Sequence, residues 1–315
     1  MRTFLRYLAI FSILPLLVAI AIFFKADGSL DECYLRFTTP RQTSLILGTS
    51  RAAQGLRPHV LDSVLNAAGH AVRSYNYSFA IGFSNYGPAY YSSIQKKLDP
   101  QARDGVFILS VDPWSISCQA DMPPSHDRSE DAAAGIARVQ CVNMDPNVEY
   151  LVRVYNEPLL AILLPDPRPK DYHTFITDDG WLQVELSMLP ADVESRTVRK
   201  VKEYAEERLR MARPSAMRLG YLGQTIDLLK EHGTVVLVRL PVSGRMEAIE
   251  DDLMPGFSTV VEGMAREKHV PFIDLNNADE VWTFTDGTHL TASSGAKATS
   301  IIANELVRTG QQSQQ

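Results

Sequence analysis

Leu45-Ile46-Leu47-Gly48-Thr49-Ser50-Arg51 decides the fold. Three consecutive aliphatic residues without polar alternation read as a strand covered on both faces, over residues 44–48. The glycine and the small hydroxylated residues after it read as a tight turn that presents a serine. Working outward, the same two-faced signature recurs at 105–111 (Gly-Val-Phe-Ile-Leu-Ser-Val) and at 234–240 (Thr-Val-Val-Leu-Val-Arg-Leu). Shorter strand candidates lie at 72–78 and 271–275. Helical spacing fills the intervals: 56–68, closed by Gly69; 88–98, with Pro88 in its first turn; 198–211; 214–232; 257–269; and an alanine-rich 293–308. Five strands separated by helices imply an α/β fold, a three-layer sandwich around a central five-stranded parallel sheet in flavodoxin-like order.

The alternation pauses from 113 to about 197. Prolines interrupt this stretch, and Pro165, Pro167 and Pro169 fall at every second residue. The expected organisation is an anchor over 1–25, a juxtamembrane connector over 26–43, and one α/β domain over 44–310 with the insertion lying across one sheet edge. A disordered tail over 311–315 completes it. Long irregular segments of compact domains are often lids or binding loops.

The N-terminus indicates the compartment. Residues 7–24 carry no charge, and this is about the length that crosses the hydrocarbon layer as a helix. Arg2 and Arg6 precede it, whereas Lys25, Asp27, Asp31 and Glu32 follow, an asymmetry that leaves the N-terminus cytoplasmic and exports the rest. A cleaved signal peptide is the competing reading. The stretch is long for one, and Phe23-Phe24-Lys25-Ala26 is a poor small-residue cleavage site, which favours an uncleaved signal-anchor. A net charge of −6 and a pI near 5.7 exclude the basic field that a nucleic acid requires. Of the three cysteines, Cys118 and Cys141 are spaced to close a modest loop in an oxidising compartment, with Cys33 left over; three unpaired thiols are the alternative.

Groups that carry chemistry collect beyond the carboxyl ends of the strands of an open parallel sheet. Ser50 stands there after the first strand, and Asp286-Gly287-Thr288-His289 after the fifth. His289 is placed to take the Ser50 proton, with Asp286 orienting the imidazole. Taken singly, Ser50 reads as a helix cap and Asp286-Gly287 as an ordinary turn; taken jointly in this strand order, they read as a catalytic set. Tyr86, Tyr90 and Tyr91 are explained by helix packing. His59, His70, His126, His173, His232 and His269 show no metal-ligand spacing, and no glycine-rich phosphate loop is present, so no cofactor is expected. Arg51, directly after the serine, and Arg239, near the functional end of the fourth strand, either hold an anionic sugar or partner carboxylate or form an internal ion pair.

Gly48-Thr49-Ser50 resembles the Gly-Asp-Ser block of SGNH/GDSL hydrolases, with threonine in place of aspartate, and Asp286-Gly287-Thr288-His289 resembles their terminal Asp-x-x-His block. The resemblance covers roughly residues 44–112 and 198–308. It implies a serine esterase or acyltransferase whose oxyanion hole adds a glycine after the second strand and an asparagine after the third. Gly82 is the candidate glycine. Asp112 stands where the asparagine is expected, and a carboxylate there would repel an oxyanion, so Asn76 and Asn85 are the remaining side-chain candidates. A membrane helix on such a domain is similar to the extracytoplasmic partners of membrane-bound O-acyltransferases, of the teichoic-acid D-alanylation and alginate O-acetylation type. That likeness implies an exported polysaccharide as acceptor and a membrane-bound O-acyltransferase as partner. A non-catalytic docking module for such an enzyme is the alternative.

Overall fold

The computed structural model describes residues 1–164 and 173–312. Five strands form the central sheet: β1 (Ser44–Leu47), β2 (Ser74–Asn76), β3 (Gly105–Ser110), β4 (Gly233–Arg239) and β5 (Phe272–Asp274). All pair in parallel, in the order β2-β1-β3-β4-β5. The order reverses between β1 and β3, which opens a crevice at the carboxyl end of β1.

The aliphatic runs are two-faced because both faces are covered. Leu45, Leu47, Phe107, Leu109, Val235 and Leu237 meet the helices Pro88–Lys97, Ala216–Lys230 and Phe257–Lys268 in one core. Ile46, Ile108, Val236 and Val238 meet Pro58–Ala67 and Ala292–Gln312 in the other. Each such side chain contributes about 1.5–3 kcal/mol when fully buried.

Several boundaries differ from expectation. β2 and β5 shrink to three residues each, because residues on either side leave the ladder to build the turns above it. The helix expected from 198 starts at Pro190, where proline occupies the first turn at no hydrogen-bond cost, so the insertion ends near Leu189. That helix runs on through a π-helical turn, Tyr204–Arg208, to Leu209–Met211. The insertion holds local structure of its own. Ser117–Gln119 pairs antiparallel with Ala212–Pro214, and His173–Ile176 pairs antiparallel with Leu182–Glu185. Pro165, Pro167 and Pro169 lie outside the described residues. The C-terminal helix continues to Gln312, two residues into the tail expected to be disordered over 311–315; residues 313–315 lie outside the described residues.

Residues 26–43 are not a loose connector. Tyr34 and Phe37, in the short helix Tyr34–Phe37, are buried in the larger core. Buried Arg36 donates to the carbonyls of Glu32 (2.7 Å), Asn76 (3.2 Å) and Gly180 (2.9 Å). Cys33, Cys118 and Cys141 are all free thiols, so the Cys118–Cys141 bridge is not formed. Cys118 is instead buried, its Sγ accepting a hydrogen bond from Arg218 Nε at 3.0 Å. Ahead of the domain, the helix Arg2–Lys25 has a mean hydropathy of 2.6 in its most apolar window and is long and apolar enough to cross a membrane.

Candidate active site

Gly48 ends β1 at φ 146°, and a Cβ there would approach Ser110 Cβ and O to 2.9 Å, so only glycine lets the chain turn this close to β3. Thr49 follows in extended conformation as the residue before the helix Ser50–Gly55, which begins on the serine. The turn is fixed from below. Buried Thr49 donates its hydroxyl to Asp112 Oδ2 at 2.8 Å, and Asp112 Oδ1 accepts the backbone N–H of Ser115 at 2.9 Å. Asp112 therefore anchors the nucleophile turn; its carboxylate is directed at that turn's hydroxyl and at a capping N–H.

The terminal loop reaches the same point. Ser50 Oγ lies 2.9 Å from His289 Nε2, and His289 Nδ1 lies 2.8 Å from Asp286 Oδ2. The other Asp286 oxygen accepts the backbone N–H groups of Thr288 (3.0 Å) and His289 (2.9 Å). Burial alone would raise the Asp286 carboxyl, but the His289 hydrogen bond and charge, with the two backbone donors, hold it well below the usual carboxylate range. An ionised carboxylate only accepts, so the imidazole carries its proton on Nδ1 and offers Nε2 to the serine hydroxyl. Gly287, at φ 78°, makes the loop tight; a Cβ there would meet Thr197 Cγ2 at 2.8 Å. Sequence reasoning thus found Ser50, His289 and Asp286, and the fold brings all three together.

The other candidates are drawn elsewhere. Asn76 is fully buried and donates to the carbonyls of Ala52 (2.9 Å) and Leu56 (2.8 Å), closing the C-terminal end of the Ser50–Gly55 helix. Asn85 Oδ1 accepts the Gly82 N–H at 2.7 Å, and its amide donates to the Trp114 carbonyl at 3.3 Å. Gly82 therefore has its donor occupied, and neither asparagine is available to an oxyanion. Arg51 and Arg239 form the internal ion pair. Their guanidinium groups flank the fully buried Glu250, at 2.5 Å and 3.4 Å, and Trp114 Nε1 donates to the same carboxylate at 3.1 Å. Arg239 also donates to Ser258 at 2.8 Å. Burial opposes the Arg51 charge, but Glu250 and Asp112 outweigh it and raise its pKa. Tyr86 and Tyr90 are buried in the core, as expected of helix packing. Among the described residues no cluster of His, Cys, Asp or Glu is arranged to hold a metal ion.

On the side of His289 and Asp286 is a cleft of about 320 Å³ lined by these two residues and Thr285, by Val184 and Leu186, by Gln54 and Glu32, and by Arg196, Arg199, Lys200 and Glu203. Arg196 Nε donates to the Thr285 carbonyl at 2.9 Å and so braces the catalytic loop. Arg199 is exposed along the wall, and Lys200 lies 3.8 Å from Glu203. Sequence reasoning missed this wall. Its signal was present, since positions 196, 199, 200 and 203 share one helical face, but the helix was read as starting at 198.

A scan against models of known protein families finds no match to this chain, and a search of curated proteins finds none either.

Proposed function

We propose that this chain is an SGNH-like serine acyltransferase or esterase, exported and anchored by its N-terminal helix, acting on acyl groups of a cell-envelope polysaccharide. The observation that carries the reading is the continuous hydrogen-bonded relay from Ser50 through His289 to Asp286, at the carboxyl end of β1. Ser50 Oγ attacks the acyl carbonyl as its proton passes to His289 Nε2, giving a tetrahedral oxyanion. Collapse breaks the bond to the leaving oxygen, which takes the proton from His289, and leaves an acyl-serine. An acceptor hydroxyl then gives its proton to His289, attacks the acyl-serine and restores Ser50; with water as acceptor the same steps are hydrolysis. The backbone N–H of Ser50, at the first position of its helix, has no intrahelical acceptor and is the donor this reading assigns to the developing oxyanion.

Two features favour transfer from a membrane-bound O-acyltransferase to a polymer. Glu32 lines the cleft and follows Lys25, the last residue of the apolar helix, by seven positions, a reach of at most about 25 Å. The catalytic mouth is thus held close to the bilayer, with the N-terminus cytoplasmic and the domain outside. Arg199, exposed on a wall where Arg196 is bonded to Thr285 and Lys200 faces Glu203, suits an anionic acceptor, a role that Arg51 and Arg239 cannot fill from inside the core.

The test uses the full-length protein in detergent, treated with a serine-reactive fluorophosphonate and read by peptide mass spectrometry. One adduct, on Ser50 and lost in His289→Ala, is expected. An unlabelled Ser50, under conditions that label an ordinary esterase, would overturn the catalytic reading in favour of a docking module for the acyltransferase.

A further inference from the structure

Where the insertion meets the N-terminal helix, the chain carries the run Pro158-Leu159-Leu160-Ala161-Ile162-Leu163-Leu164, with no polar side chain. Leu159–Leu163 forms a short 3₁₀ turn that packs along the helix Arg2–Lys25. The turn has two sides. Leu159 and Ile162 join Phe23 and Ala26 against the large core, whereas Leu160 and Leu164 are 59% and 66% exposed. Phe24, on the helix itself, is also exposed.

The position of the turn says what covers it. Within the helix only Ile22 is buried, and Val18, Ala19 and Phe23 are partly covered. At 1.5 Å per residue, the covered stretch from Val18 to Lys25 spans roughly 10 Å of helix axis. A turn alongside those residues therefore sits level with the helix's last two turns. With Lys25 at the water boundary, that level is about 3–10 Å inside it, overlapping the roughly 5–10 Å depth at which amphipathic segments lie. The outward leucines also continue the apolar surface that the helix presents on its other sides. In water, such a surface would be a costly exposure next to an already apolar helix.

We propose that Leu159–Leu164 is a membrane-inserted wedge, its Leu160 and Leu164 side chains buried in the acyl chains of the leaflet on the domain's side. The inference rests on the reading of Arg2–Lys25 as a membrane anchor. The wedge adds a second point of attachment beside the helix, so the domain cannot pivot freely about Lys25. It fixes which side of the domain meets the bilayer.

The test places nitroxide labels on the full-length protein in lipid nanodiscs, in a Cys33→Ser, Cys141→Ser background that leaves only the buried Cys118. The labelled variants are Leu160→Cys, Leu14→Cys in mid-helix (70% exposed) and Val281→Cys on the domain surface (85% exposed). Collision with oxygen reports lipid, and collision with a water-soluble nickel chelate reports solvent. The expected result is Leu14 and Leu160 both oxygen-accessible and nickel-shielded, with Val281 the reverse. Leu14 in lipid with Leu160 open to nickel would overturn the wedge and leave the anchor standing. Leu160 shielded from both reagents would overturn it in favour of contact with protein, a second copy included. Leu14 open to nickel would overturn the anchor, and the wedge with it.

Discussion

Two groups of basic residues near the Ser50–His289–Asp286 relay do opposite work. In the interior, Arg51 and Arg239 clasp Glu250, and Thr49 and Asp112 lock the turn that carries Ser50. Beside His289 and Asp286, Arg196, Arg199 and Lys200 line a cleft open to solvent. The inner group has no spare charge to offer a ligand: both guanidinium groups pair with Glu250, Arg239 also lies 3.9 Å from Asp274, and an indole donates to Glu250 as well. The outer group keeps Arg199 at the surface, where a charge costs nothing to maintain and remains available. Adjacency to the nucleophile in sequence is therefore a poor guide to which arginine meets substrate. The residue directly after Ser50 points into the protein, and residues far along the chain line the cleft beside His289 and Asp286.

Experiments can break this contrast, beginning with the largest effect. Ser50→Ala should abolish covalent labelling and lower acyl transfer or hydrolysis by roughly 10⁴–10⁶-fold while leaving the unfolding midpoint nearly unchanged, because the side chain reacts and does not pack. Asp286→Asn should cost about 10⁴-fold in rate, since it removes the ionised acceptor that keeps the imidazole proton on Nδ1. The depressed Asp286 carboxyl also adds stability above its unfolded pKa near 3.9. That contribution should fade below about pH 4, as measured by comparing wild type and Asp286→Asn in acid denaturation.

Glu250→Gln tests the inner group. Removing the carboxylate that both buried guanidinium groups share should destabilise the fold by about 3–5 kcal/mol in urea titration. An unchanged midpoint would mean that water already reaches these charges. Arg199→Ala tests the outer group and should do the reverse. Stability should stay within about 0.5 kcal/mol, while KM for an anionic acyl acceptor rises roughly tenfold and that for a neutral one does not.

The smallest expected effect concerns a buried cation with no carboxylate beside it. Lys97 donates to the Thr39 carbonyl and hydroxyl at 2.6 and 2.7 Å and to the Val142 carbonyl at 2.8 Å, and burial pushes its pKa down to about 7. The unfolded chain keeps that proton until near pH 10.4, so above pH 7 the unfolded state binds more protons than the folded one. Stability should rise with pH from 7 to 9 in wild type, relative to Lys97→Met, in paired denaturant midpoints.

How much of this was legible in the sequence follows from periodicity. β1, β3 and β4 are long enough, and apolar enough on both faces, to be read directly, and the order of strands then brought Ser50 and His289 to one end of the sheet. β2 and β5 are three-residue segments whose length is set by their neighbours in the ladder, so their ends were misplaced. The asparagines were misread for a different reason. Asn76 and Asn85 have the chemistry an oxyanion needs, but the amide N–H groups of each are consumed by carbonyls of residues distant in sequence, which no local pattern reveals. The free thiols of Cys118 and Cys141 are of the same kind, since Arg218 reaches Cys118 across a hundred positions of chain.

The seven-position spacing between Lys25 and Glu32 also has a kinetic meaning. Under the proposed anchoring, a short tether would replace a search through the surrounding volume with a search confined to a thin layer above the bilayer. Its effective concentration is on the order of millimolar for any donor held in the same membrane. Weak encounter between the domain and such a donor is then sufficient for productive exchange, and a cleft with few apolar gripping residues is not a handicap. Severing the chain between Lys25 and Glu32 would leave each half of the machinery chemically intact and dilute it out of reach of the other.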